Sequence, residues 1–137
     1  MLINLTAENF NFMVKTIAAI FLFIHGFAHS VGFFVQWRII KSNDMPYSTK
    51  LFFGKLDAGN AGIRIIGLIW LSIAIVYVFA GYGILTSKGW WNTATLIITA
   101  FSFIFCIVGL PDTKMGVVAN IIILVFIILN QRFEWIG

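Results

Sequence analysis

His25 and His29 stand four residues apart inside the stretch FMVKTIAAIFLFIHGFAHSVGFFVQW, residues 12 to 37. On a helix, positions i and i+4 share one face, so the two imidazoles can meet a single proton, ligand or metal ion. The surrounding run is almost continuously apolar. An ionisable side chain at membrane depth is costly, and it ordinarily faces a bundle interior or a water-filled cavity. The residue after His25 is Gly26, so the pair lacks the built-in base of a His-Glu-x-x-His helix. A divalent transition metal at His25 and His29 would need Asp57 or Asp112 to complete its coordination. Two histidines on one helix face cannot reach opposite faces of a haem iron. The plainest reading is hydrogen bonding between helices, which stabilises packing.

Other polar residues gather in the same half of the membrane. At 1.5 Å per residue, His29 lies roughly 12 Å in from Trp37 and His25 roughly 18 Å. Asn60 and Arg64 begin a second apolar run one helical turn apart, and Asp57 precedes them at i−3. A third run carries Thr95, Thr99, Ser102 and Cys106 as one stripe, and a fourth carries Asn120 one turn inside, with Asp112 in the turn before it. Thr16 and Tyr77 are among the few polar groups assigned to the opposite half. The pattern predicts a polar pocket in one half of the bilayer, floored by His25. His25 and His29 would be its ligand contacts, Ser102 lies in the same half, and Asp57, Asn60, Arg64, Asp112 and Asn120 would frame its entrance. Arg64 suits an ion pair with Asp57 or Asp112, or a clamp on an anionic ligand group.

The elements that must position these residues follow from composition. The chain has 137 residues, 61% hydrophobic and 10% charged, with mean hydropathy +0.99. A soluble domain needs about a quarter of its residues charged to cover its core, so this is the composition of a polytopic membrane protein. Continuous apolar runs, without strict alternation, exclude a β-barrel. The expected fold is an all-α, antiparallel four-helix transmembrane bundle in a single domain spanning 1–137. Its spans fall at 12–37, 61–85, 92–110 and 115–133, with a long loop at 38–60. The 12–37 run exceeds a signal-peptide core and ends without a small-residue cleavage site, so it is expected to be retained. The formal charge of +4 comes from loops, and no basic run suits nucleic acid. The lone Cys106 excludes a disulfide within the chain and a Cys-x-x-Cys redox motif. Lysine and arginine weight on loops 1 and 3 (Arg38, Lys41, Lys50, Lys55 and Lys114, with Arg64 close by) places both loops in the cytoplasm.

At His25-Gly26-Phe27-Ala28-His29, Leu56-Asp57-Ala58-Gly59-Asn60-Ala61-Gly62-Ile63-Arg64 and Leu110-Pro111-Asp112, the chain resembles a group of small bacterial four-span membrane proteins often labelled ABC transporter permease. No ATPase-coupling element is identifiable in these residues. Through the Gly-containing first span and Ala61-Gly62…Gly67…Gly81, the chain is similar, more distantly, to the DoxX-like superfamily. That resemblance implies the bundle fold and a redox-accessory setting, and it carries over no catalytic residue; the expected location is a bacterial inner membrane.

These readings lead to one expectation and two alternatives. The expectation is a membrane protein without ATPase coupling, whose polar pocket binds a small, lipid-like or quinone-like molecule through proton-responsive His25 and His29. The alternatives are a metal-dependent membrane enzyme using both histidines, and a structural or assembly subunit of a membrane complex. Ala58-x-x-x-Gly62 permits close helix contact within one chain or in a homo-oligomer.

Overall fold

The computed structural model describes residues 2–136, with side chains from residue 8 onward. Four helices, α1 (Leu2–Gln36), α2 (Gly59–Leu85), α3 (Trp91–Val108) and α4 (Lys114–Phe133), account for most of the chain. All four are long and apolar enough to cross a membrane, which is the architecture of a multi-pass membrane protein. The helix boundaries fall within a few residues of the expected spans, except at the start of α1. There the helix runs about ten residues beyond the expected boundary. Thr6, Glu8, Asn9 and Asn11 are polar, and polarity ends the lipid-compatible part of a helix without ending the helix itself. No Pro or Gly precedes Gly26 to break it.

The helices pack chiefly in chain order, α1 on α2, α2 on α3 and α3 on α4. Small residues make the α1–α2 approach possible. A Cβ on Gly26 would stand 3.0 Å from the Ala74 carbonyl oxygen and 3.1 Å from Tyr77 Cβ, and one on Gly32 would stand 2.9 Å from Trp70 Cγ. Side chains facing away from the neighbouring helices, such as Phe12, Ile24, Phe27, Ile97 and Ile128, are exposed. The interior holds Ile73, Ile84 and Ile127 together with fully buried Thr99, Ser102 and Asn120. An apolar exterior around a partly polar interior is the distribution expected where lipid replaces water as solvent.

The 38–60 segment contains more order than a loop assignment allows. Lys50–Leu51 (β1) pairs antiparallel with Leu56–Asp57 (β2), Lys50 opposite Asp57 and Leu51 opposite Leu56. Gly54, at φ +78, turns the hairpin. Phe52 and Phe53 donate their backbone N–H groups to the carbonyls of Val108 (2.8 Å) and Leu110 (2.9 Å), fastening the hairpin to the end of α3. Asp57 Oδ1 accepts from the Gly59 N–H at 2.9 Å and starts α2 through Gly59, whose φ of +66 suits glycine. At the opposite end of the molecule, the Lys15 ammonium donates to the Ser87 hydroxyl and ties α1 to the end of α2.

Candidate functional site

The polar side chains of the interior form one connected network drawn from all four helices. His25 Nε2 lies 3.0 Å from Asn120 Oδ1 and 3.1 Å from His29 Nε2. His29 Nε2 lies 2.8 Å from Ser102 Oγ, and the Asn120 amide donates to Ser102 Oγ at 3.0 Å and toward Cys106 Sγ at 3.4 Å. Tyr77 donates to Asn120 Oδ1 at 2.8 Å, with Thr99 Oγ1 3.2 Å away. Thr99 in turn donates to the Thr95 carbonyl at 2.6 Å. Aromatic faces enclose the pair: Trp70 stacks on His29 at 5.0 Å, and Tyr77 stands edge-on to His25 at 4.8 Å.

Proton positions follow from what each group can do. Asn120 Oδ1 only accepts, so His25 carries its hydrogen on Nε2 and donates. Asn120 Nδ2 donates to Ser102. The His25 N–H stands 3.1 Å from His29 Nε2, and two N–H groups cannot face each other, so His29 Nε2 accepts there and from the Ser102 hydroxyl, and His29 carries its hydrogen on Nδ1. Both rings are neutral in this arrangement. It also over-subscribes the two Nε2 atoms. The single His25 hydrogen has two acceptors within reach, and the single His29 lone pair has two donors. Neither Nδ1 has a hydrogen-bond partner among the described residues, so His25 Nδ1 is a free acceptor and His29 Nδ1–H a free donor.

Of the residues expected at the site, His25, His29, Ser102 and Asn120 meet. Asp57, Asn60, Arg64 and Asp112 do not join them; they are exposed at the loop-1/loop-3 end. Asn60 Oδ1 accepts from Tyr47 (2.6 Å) and Arg38 (3.4 Å). Arg64 lies 5.7 Å over the Trp37 ring, and the Trp37 indole donates to the Arg64 carbonyl at 3.2 Å; neither contact is the expected ion pair with an aspartate. Hydrogen bonds from the Gly59 N–H and then from Thr49 hold the Asp57 carboxyl below its ordinary range, with Lys50 adding to the effect. Among the described residues, no group of three or more His, Cys, Asp or Glu side chains could hold a metal ion. His25 and His29 thus have only neutral oxygen donors beside them, without the carboxylate expected from Asp57 or Asp112.

Tyr77, expected in the other half of the bilayer, is part of the network. Helical side chains lean toward the helix N-terminus. The N-terminus of α2 is at the loop-1 end, so the long phenol carries its hydroxyl back to Asn120. That lean is the signal that would have placed it.

Open space is distributed differently from the polar groups. At the loop-1/loop-3 end, a cavity of about 20 Å3 lies among Gln36, Pro46, Leu51, Trp70, Phe105 and Asp112, room for about one water. Gln36 Oε1 is buried there without a hydrogen-bond partner. A larger cavity of about 240 Å3 lies in the other half, between Ile17, Ala18, Phe21 and Leu22 of α1 and Ile122, Ile123 and Phe126 of α4. Ile84 and Thr95 complete its lining, and the Thr95 hydroxyl is already spent on the Trp91 carbonyl at 2.7 Å. The surface offered is therefore hydrocarbon. Leu22 and Ile123 at its inner end are each within one helical turn of His25 and Asn120, respectively. Neither a family model, nor a curated protein, nor a solved structure matches the chain.

Proposed function

We propose that this chain binds a membrane-dissolved, lipid-like molecule of the quinone or quinol type. Its hydrocarbon would lie in the α1–α4 groove and its polar atom would meet His25. The observation that supports this most directly is the position of the apolar groove of about 240 Å3. It ends within one helical turn of a buried His–His–Asn–Tyr–Ser network, where His25 keeps a ring nitrogen without a partner. A lining with no unspent polar group suits hydrocarbon, and a free Nδ1 acceptor suits a hydroxyl donor. A reduced, hydroxyl-bearing ring fits that tautomer best. In this reading the helices form an antiparallel transmembrane bundle in a bacterial inner membrane, with loops 1 and 3 cytoplasmic. The DoxX-like resemblance belongs to the same reading, and no ATPase takes part.

A second reading has a specific observation in its favour. The network bonds α1 to α3 and α4, and α2 to α3 and α4, which is what helix-to-helix adhesion in a structural or assembly subunit would use. Gentle native mass analysis separates the two. Wild-type protein is expected to retain a lipid-like mass that Ala18→Phe, which fills the groove, releases without lowering the melting temperature. His25→Ala is expected to weaken retention as well. A wild-type chain that carries nothing, or an Ala18→Phe variant that keeps its ligand, would leave adhesion as the network's role.

A further inference from the structure

The β1–β2 hairpin presents two different faces. Leu51 is buried and closes the cavity above Trp70 and Phe105. Phe52, Phe53 and Leu56 are 41%, 60% and 55% exposed, although water is a poor environment for three large apolar side chains in a row around one turn. Phe52 and Phe53 both adopt left-handed backbone, at φ 46 and 56, a conformation that bulky side chains disfavour. The conformation points consecutive aromatic side chains outward while their N–H groups remain bonded to Val108 and Leu110.

Those bonds also fix the depth of the hairpin. Val108 is the last residue of α3, so the two phenylalanines sit level with the end of a membrane-crossing helix. That is where hydrocarbon gives way to headgroups and where aromatic side chains concentrate. The surrounding charge is net basic: Lys50, opposite Asp57, and Lys55 flank the phenylalanines, and with Arg38, Lys41, Arg64 and Lys114 at the same end they outnumber Asp44, Asp57 and Asp112. Lys55 Nζ lies 5.8 Å over the Phe52 ring, so the cation and the apolar surface present together.

We infer that this hairpin is an interfacial anchor. Phe52, Phe53 and Leu56 enter the acyl boundary of the leaflet on the loop-1 side, and Lys50 and Lys55 meet the phosphates of anionic lipids. The occupant of the patch is the host bilayer itself. Apolar burial and attraction to anionic headgroups act together in such anchors. The consequence inside the protein is positional: a hairpin held down by lipid keeps Leu51 seated over the cavity beside Gln36.

Spin labels at single cysteines test this in the full-length chain. Phe53→Cys and Lys41→Cys would each be made in a Cys106→Ala background and reconstituted in nanodiscs with or without anionic lipid. The label at position 53 is expected to collide several-fold more with oxygen, relative to a water-soluble nickel chelate, than the label at position 41. The contrast should grow with anionic lipid. Phe52→Cys provides the same reading if the position 53 variant does not fold. Nickel access at position 53 equal to that at position 41 would overturn the anchor. Shielding of position 53 from both relaxants would also overturn it, and would assign the patch to a protein partner or a second copy of the chain.

Discussion

At the scale of single residues, Asn120 is the hub. Its amide accepts from two helices and donates to a third, so truncation takes one partner each from the Tyr77 hydroxyl, the His25 N–H and Ser102 at once. Interhelical hydrogen bonds in membranes average about 0.6 kcal/mol each, and truncation removes those to His25, Tyr77 and Ser102 together. Asn120→Ala is therefore expected to lower stability by about 2 kcal/mol in detergent unfolding. Tyr77→Phe, which removes one donor and leaves Asn120 other partners, should cost about 1 kcal/mol or less. Equal losses for the two variants would contradict the hub. Outside the membrane, Asp57 gives a pH prediction with a defined sign. Its folded carboxyl titrates below the ordinary range because it accepts the Gly59 N–H. The stabilisation of the α2 start is present above the unfolded-state range and lost as pH falls through the lowered folded value. Amide exchange at Gly59, corrected for intrinsic pH dependence, should accelerate only under those acid conditions, and Asp57→Ala should abolish the transition.

At the scale of elements, helix positions were legible because apolar runs of membrane length have few alternative structures. So was the placement of His25, His29, Ser102 and Asn120 in one half of the membrane, whereas their convergence depends on helix rotation, which spacing along the chain does not define. Four further things were not legible. The first turns of α1 are polar, and polarity hid a helix that nothing interrupts. Tyr77 was assigned by the depth of its Cα, whereas its hydroxyl acts about a turn away. The hairpin strands are two residues each, too short for a period-two pattern. Asp57, Asn60, Arg64 and Asp112 share a membrane end with the network, but spacing along the chain cannot reveal that Trp37, Tyr47 and the Asp57 turn engage most of them locally. The α1–α2 contact supplies a prediction at this scale. Gly32→Ala puts a Cβ 2.9 Å from Trp70 Cγ and must displace the ring stacked on His29. A cost of about 1–3 kcal/mol is expected, accompanied by a changed indole emission from Trp70. An unchanged melting temperature and spectrum would show that the interface gives way freely.

At the scale of the whole molecule, the four helices keep their polar groups inside and turn hydrocarbon outward, so lipid is the solvent in which the fold makes sense. The molecule also separates its polar network from the apolar groove between α1 and α4. The network is buried, and the space beside it is apolar. That separation is the basis for reading the chain as a binder of an amphiphile, and it distinguishes the groove from the rest of the lipid-facing surface. The most direct test is photo-crosslinking with a diazirine-bearing quinone analogue in nanodiscs, with adducts mapped by peptide sequencing. The account predicts adducts concentrated on residues 17–22 and 122–126 and displaced by excess unlabelled quinol. Adducts scattered over outward-facing residues such as Phe27, Ile97 and Ile128, and indifferent to competitor, would contradict it.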